Sequence, residues 1–466
     1  MFHKNLSYKA LAPLKTYTMA LVVTVFTLCV IIPYGLNDIA AFTFLLVFYC
    51  LGVLSCLYLS NKKASEFKKL FAIFFIASSV YFFYSYLVTI NFETIDDFFV
   101  FPDQVYFYGI SESLKVFPSV WSIFKYTVLE KSHIEYEAMH FLTGSVAYIA
   151  DKYLSGNSLT LQSFVVVSFS TFINIFIYKT LRFYVSEKLA FSYTIVFSLL
   201  SVVFAYSPWI LRDIHIMFLY AVGYYLIHKK FSLANILILF ILQYIVSEFR
   251  LASGIAFFFF PLFYLYFQGG QYKYRKVIYF LLMVLFVFIL FKSFNSINST
   301  IGRLERYQSF TDTAVSSAGG LSVYVYRLPT GLKELAIILL SQIQPFPPWG
   351  ETVEVSNKPE VLSKFIFGLA AIFWSYVSYI TLVSFIRNPS RTPKILLFGL
   401  IFSLLFLLVS SANMSVRRIM AVYPILFTYF VYAQVHLNTK LLKKHRLIYF
   451  FFGYLALLLI YGTFKY

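Results

Sequence analysis

Ser207-Pro208-Trp209-Ile210-Leu211-Arg212-Asp213-Ile214-His215 sets a cation, an anion and an imidazole close together between two long apolar runs. The flanking runs, roughly 189–208 and 213–228, read as membrane spans, so the nine residues form a tight turn at one membrane face. Pro208 and Trp209 suit a span end, with Trp at the interface. A hairpin tip in a bilayer has no folding need for Arg212, Asp213 and His215, and ionisable groups at membrane depth are functional suspects.

Working outward, the same apolar pattern recurs along the whole chain. Only 12% of the 466 residues are charged, where a soluble domain carries about 25%. Repeated runs of about 18 or more apolar residues exclude a large soluble protein. The sequence predicts an all-α integral membrane protein with about 13 transmembrane helices (range 11–14) and two long outer-face loops. The spans fall near 17–34, 39–60, 70–91, 160–178, 189–208, 213–228, 231–247, 251–268, 277–294, 361–386, 395–412, 419–436 and 447–464. A shorter apolar stretch, 138–150, reads as an interfacial or re-entrant helix. No small-residue cleavage site follows the first run, which therefore reads as an uncleaved span.

Orientation follows from the basic residues of the short loops. With the N-terminus in the cytoplasm, the inner segments hold 22 of the 38 Lys and Arg but only Glu66 and Glu187 of the 20 acids, a net of +20. The outer side is left with −2. The net charge of +18 is thus a topology signal matched to anionic lipid, and it gives no reason to expect nucleic acid. Residues 1–466 read as one polytopic membrane domain, with outer segments 92–159 (carrying the interfacial helix) and 295–360. The 57 Phe and 39 Tyr, with many Ile and Lys, fit an AT-rich bacterial genome.

Four arginines defy the charge bias by sitting in short outer turns: Arg212, Arg250, Arg417 and Arg418. Any one of them can be a snorkelling span end, but four together point to a shared anion site. The outer face holds further charge clusters. Glu93, Asp96, Asp97 and Asp103 precede Tyr106 and Tyr108, a carboxylate-aromatic pattern for proton transfer and sugar stacking; a solvated acidic loop is the alternative. Arg212 and Asp213 either pair with each other or serve a site, and the same holds for Glu248 and Arg250. His215 is a proton carrier or a polar interface group. Arg303, Glu305, Arg306, Arg327 and Lys333 lie in the second long loop, which ends in Gln344-Pro345-Phe346-Pro347-Pro348-Trp349-Gly350. Arginine presents a planar fork that matches phosphate oxygens. Within this loop Leu335–Ile343 reads as an interfacial amphipathic or re-entrant helix.

Cys29, Cys50 and Cys56 lie in the first two apolar runs as small apolar groups; no Cys/His set calls for a metal, and no cofactor is expected. HExxH, Walker, GxSxG and DxD-type motifs are missing. The inner loops are too short to house a soluble donor, so chemistry falls to the outer face, where a donor has to be carried by lipid.

In order, Phe101-Pro-Asp-Gln-Val-Tyr106, Ser207-Pro208-Trp209-Ile210-Leu211-Arg212-Asp213, Glu248-Phe-Arg250-Leu-Ala-Ser and the loop ending in Pro345-Phe-Pro-Pro-Trp349 resemble the bacterial O-antigen and capsular polysaccharide polymerases (Wzy-type) and related membrane glycosyltransferases. The resemblance covers about 100–420 and rests on short motifs and topology. The family's turn often carries Lys-Asp or Lys-Glu; here Arg212 keeps the charge. It implies transfer of a growing glycan from undecaprenyl pyrophosphate to another lipid-linked repeat unit, at the periplasmic or extracellular face. A chain-length regulator and a flippase are the partners it implies, beside membrane lipid. Arg212, Arg250, Arg303, Arg306, Arg327, Arg417 and Arg418 are then candidates to bind the pyrophosphate, and Asp103, Asp213, Glu248 and His215 candidates for the base.

Two other enzyme and transport readings stand beside it. A GT-C-type glycosyltransferase using a polyprenyl phosphate sugar resembles its relatives in an acidic motif on the first outer loop; here that loop is only about Leu36–Asp38. A lipid-linked oligosaccharide flippase or other transporter places charges near the bilayer midplane and often shows repeated halves, whereas here the span centres are nearly clean. A purely structural or partner-binding membrane protein is the third alternative.

Overall fold

The computed structural model describes residues 38–61, 63–89, 102–130, 136–270, 328–329, 331–343, 358–410, 416–437 and 440–465, with 274, 276, 277, 280, 284 and 287 singly or in pairs. Among these residues every regular element is helical. The expected span at 17–34, most of 277–294, and Glu93, Asp96 and Asp97 lie outside the described residues.

The first apolar runs become α1 (Ile39–Leu59) and α2 (Ala64–Thr89). The next segment folds into α3 (Pro102–Leu114), α4 (Val120–Phe124, continued by a π-turn over Lys125–Leu129) and α5 (Glu137–Tyr153). Next come α6 (Leu159–Leu181), α7 (Glu187–Leu200), α8 (Val202–Tyr206), α9 (Arg212–Ile227), α10 (Leu233–Phe249), α11 (Leu251–Phe257) and α12 (Phe259–Gln268). Further along the chain follow α13 (Leu332–Ser341), α14 (Lys358–Arg387), α15 (Lys394–Ser410) and α16 (Val416–Ile419). The chain ends with α17 (Tyr423–Tyr432) and α18 (Lys440–Lys465).

Six helical stretches of the described residues are long and apolar enough to cross a membrane: Ile39–Leu59, Ala64–Thr89, Leu159–Leu181, Leu251–Gln268, Val361–Arg387 and Met420–Leu437. Leu233–Phe249, Lys394–Leu407 and Leu447–Ile460 are apolar but shorter. This is the build of a multi-pass helical membrane protein, with fewer full-length spans among the described residues than the 13 expected. Two of the expected spans, 17–34 and most of 277–294, lie outside the described residues. The run 189–208 is interrupted where Ser201 turns extended and its hydroxyl accepts from Val203 N, starting α8 afresh. The run 419–436 keeps a crossing length, although it passes from α16 through a 3-10 turn into α17 and then a π-turn.

The bundle has two chemically distinct ends. At one, Lys179 pairs with Glu66 and donates to Leu59 O at 2.8 Å, and Lys69 pairs with Glu187. These contacts gather the C-terminal ends of α1 and α6 and the N-terminal ends of α2 and α7. Between the ends, polar groups join neighbouring helices: Ser85 to Ser163 at 2.6 Å, Tyr81 OH to Ser198 O at 2.7 Å, Asn174 to Tyr81 at 3.1 Å. In lipid such bonds and close packing replace the hydrophobic drive as interhelical glue.

At the other end Asp38 caps α1, accepts from Ala41 N at 2.9 Å and receives the Ser158 hydroxyl at 2.5 Å. This ties α1 to the start of α6 and to the hairpin of α3 and α5. That hairpin packs closely, because a Cβ on Gly144 would lie 2.6 Å from the Leu114 side chain. A small core of Leu114, Ile123 and Tyr148 lies inside it, and Lys115 bridges Glu112 (2.7 Å) and Asp151 (3.7 Å) across its rim. The expected interfacial helix at 138–150 is the body of α5. The Leu335–Ile343 stretch falls on α13 and the two residues after it. Gln342, just past α13, accepts from the indole N–H of Trp374 at 2.8 Å, and Trp374 sits midway along α14.

Candidate functional site

The Ser207–Leu211 turn is buried, contrary to the exposed hairpin tip expected. Trp209 is 1% exposed, and Ile210 and Leu211 are 0%. Trp209 is no interface anchor; its indole N–H donates to Ala205 O at 3.1 Å. Burying a turn requires every backbone donor to find a partner, and here each does. Ser207 N reaches Phe204 O, Trp209 N reaches Tyr206 O, and Leu211 N reaches Trp209 O at 2.7 Å. Ile210 N donates to the Gln104 side chain of α3 at 3.4 Å, and the Pro208 carbonyl accepts from Ser163 of α6 at 2.5 Å. The hairpin of α3 and α5 thus lies over the turn, and α9 starts beneath it with Arg212 and Asp213 in its first turn. An acid is favoured there by the helix dipole.

The ion pair at this turn joins two separate segments. Asp213, 3% exposed, is paired with Arg250 at 2.5 Å. Arg250 stands in an extended one-residue break (φ −161, ψ 114) between α10 and α11. The two helices fold back so tightly that a Cβ on Gly254 would meet Ser247 Cα at 2.5 Å and its hydroxyl at 2.0 Å. Only glycine lets the break close and aim Arg250 at Asp213. The last turn of α10 buries Glu248, 7% exposed.

Two further segments complete the cluster. Arg417 of α16 pairs with Asp103 of α3 at 2.8 Å, and the 3-10 turn that follows it rests on α9. Arg212 lays its guanidinium over the Tyr136 ring, 3.8 Å from the centroid, and donates to Phe249 O at 3.3 Å. Asp213 feels Arg250, Arg212 and Arg417 together. Among the described residues, Arg212 has no carboxylate within ion-pair distance. Three cations from three segments therefore meet two aspartates, and the cation left over is Arg212.

Of the four candidate bases, Asp103 is the accessible one, its side chain 41% exposed. Asp213 is sequestered by Arg250. His215 is 1% exposed, stacked on Phe249 and close to Phe169, with Nδ1 directed at Leu211 O at 3.2 Å. It is a packing group beneath the cluster. Arg303, Arg306 and Arg327, the Ser316–Gly320 stretch, the Gln344–Gly350 motif and the side chain of Arg418 lie outside the described residues.

Two participants are not among the candidates read from the sequence. Gln104 is only a member of the Phe101–Tyr106 motif until its side chain accepts from Ile210 N. Tyr136 is an aromatic among aromatics until the fold sets it under Arg212. Tyr106 is 42% exposed and packs edge-on against Tyr136 at 6.2 Å, with His140 at 5.5 Å. Burial, then the Tyr136 phenol, raises the Tyr106 phenol, which keeps it a protonated donor. Among the described residues no cluster of three His, Cys, Asp or Glu side chains could hold a metal ion. The chain matches no known protein-family model, and no curated protein matches it.

Proposed function

We propose that the chain polymerises lipid-linked oligosaccharide repeat units at the outer face of a bacterial cytoplasmic membrane, through about 13 spans with a cytoplasmic N-terminus. One observation carries this reading: Arg212, Arg250 and Arg417 converge from three segments at one end of the bundle, and Arg212 has no carboxylate partner among the described residues. A cationic, half-buried patch at the end of apolar helices suits an anion held at a membrane surface, which is the position of a polyprenyl pyrophosphate. Arginine N–H groups pointed at the departing pyrophosphate stabilise the charge that develops there. In the step itself, a sugar hydroxyl of one lipid-linked unit attacks the anomeric carbon of another. The C–O bond to pyrophosphate breaks, its electron pair leaves on the pyrophosphate, and the hydroxyl proton passes to Asp103. For that, Asp103 exchanges its Arg417 partner for the substrate as the anion draws Arg417 away.

The test compares surface glycan in cells carrying Arg212→Gln or Arg417→Ala. Single-repeat lipid-linked units persisting without long chains is the expected result. Polymer of normal length in both variants overturns the reading. Loss of even single-repeat display redirects it to a transporter.

A further inference from the structure

We infer that Tyr136 is a positioning residue that holds the Arg212 guanidinium flat, with its N–H edge open, as a seat for a pyrophosphate. This rests on the lipid-linked substrate of the preceding reading. Tyr136 has φ +84 and ψ 20, a left-handed conformation outside glycine's domain. Such strain persists where the surroundings over-determine it, and it clusters at ligand clamps. Helix capping does not account for it. Tyr136 precedes α5 at the position where Ser or Asp would cap, and its side chain makes no capping bond.

What the conformation does accomplish is placement of the ring. Phe107 stands edge-on to Tyr136 at 5.6 Å and His140 at 6.1 Å, and both are buried. Between these edges the phenol face is fixed under Arg212. A guanidinium stacked on a ring keeps its donors in the plane, where they meet phosphate oxygens in pairs. One N–H is used by Phe249 O. Arg250 and Arg417 each already hold an aspartate, so among the described residues the stacked Arg212 is the cation of the cluster whose charge no aspartate takes up.

The experiment uses the purified full chain in detergent, inorganic pyrophosphate as the probe, and calorimetry alongside thermal unfolding. Wild type binds; Arg212→Gln abolishes binding. Tyr136→Leu weakens it about tenfold, the size of a partly desolvated cation–π contact, and Tyr136→Phe recovers the loss. Tyr136→Gly is the discriminating variant. Glycine accepts φ +84 without strain, which offsets part of the packing lost with the ring, so its unfolding temperature falls less than that of Tyr136→Leu while its affinity falls as much. No pyrophosphate binding by wild type, unchanged affinity in Tyr136→Leu, or affinity that falls only in step with unfolding temperature overturns the inference. If binding behaves as expected yet gene deletion leaves glycan chain length unchanged, the seat stands and the polymerase reading falls.

Discussion

Arg250→Gln removes one member of a buried ion pair, and its cost can be worked from its surroundings. Asp213 is 3% exposed, so its carboxylate cannot recover hydration once Arg250 is gone. Breaking a buried pair from one side costs about 3–5 kcal/mol. Arg212 and Arg417 still act on Asp213, which places the loss near the lower figure, about 3 kcal/mol. The reverse deletion is milder. Arg250 is 19% exposed and can turn toward water or a ligand, so Asp213→Asn costs about 1–2 kcal/mol. The double variant, with no charge left unpaired, costs less than Arg250→Gln alone, giving a coupling of about 2 kcal/mol in a double-mutant cycle. Unfolding by SDS titration of the full chain in mixed micelles measures all four species. An Arg250→Gln protein within about 0.5 kcal/mol of wild type would show that Asp213 is not a buried partner of Arg250, and the arrangement of the site would fall with it.

Two other perturbations probe how the pair is held and how the opposite end is fastened. Gly254→Ala forces apart the α10–α11 hairpin, costing about 2 kcal/mol in the same titration; adding Ser247→Ala recovers only part, because Ser247 Cα still stands 2.5 Å from the new Cβ. Lys179→Met keeps the buried stem but strands the Glu66 carboxylate, whose side chain is 12% exposed. It costs about 3 kcal/mol, and Glu66→Gln in the same chain restores stability in part, read by SDS titration.

Hydropathy made the helical class legible, and the basic loops made the grouping of helix ends legible. Glu66 and Glu187, the two acids assigned to the basic side, are the two that Lys179 and Lys69 hold. The helix breaks were not legible. Ser201, Phe258 and the 3-10 turn at Met420–Val422 lie inside apolar runs, and hydropathy averages over a window longer than the interruption. In the candidate site, the sequence marked Arg212, Arg250 and Arg417 as charges out of place and Asp213 and Asp103 as candidate bases, and they meet. Local pairing of Arg212 with Asp213 stood as the alternative, and the partner Asp213 finds, Arg250, is 37 residues away. His215 shows the same limit: an imidazole reads as titratable chemistry until Phe169 and Phe249 close around it.

The placement of the arginines has a common physical cause. Arg212 opens a helix after a buried turn, Arg250 occupies an extended break, and Arg417 sits in a helix of four residues. A continuous helix in lipid projects its side chains radially, toward lipid or toward the next helix, and satisfies its own backbone. At a break the backbone groups seek outside partners, as Ile210 N does with Gln104 and Phe249 O with Arg212. The same bonds fix the direction of the side chain next to them. Breaks in three segments at one end can therefore aim three cations at one volume. Their mutual repulsion is offset by Asp213, the neighbour of Arg212 in α9, and by Asp103, which α3 brings from a further direction. Among the described residues Arg212 is the arginine fixed by an aromatic face instead of a carboxylate. A ring steers the guanidinium without neutralising it, which suits the pyrophosphate seat proposed above.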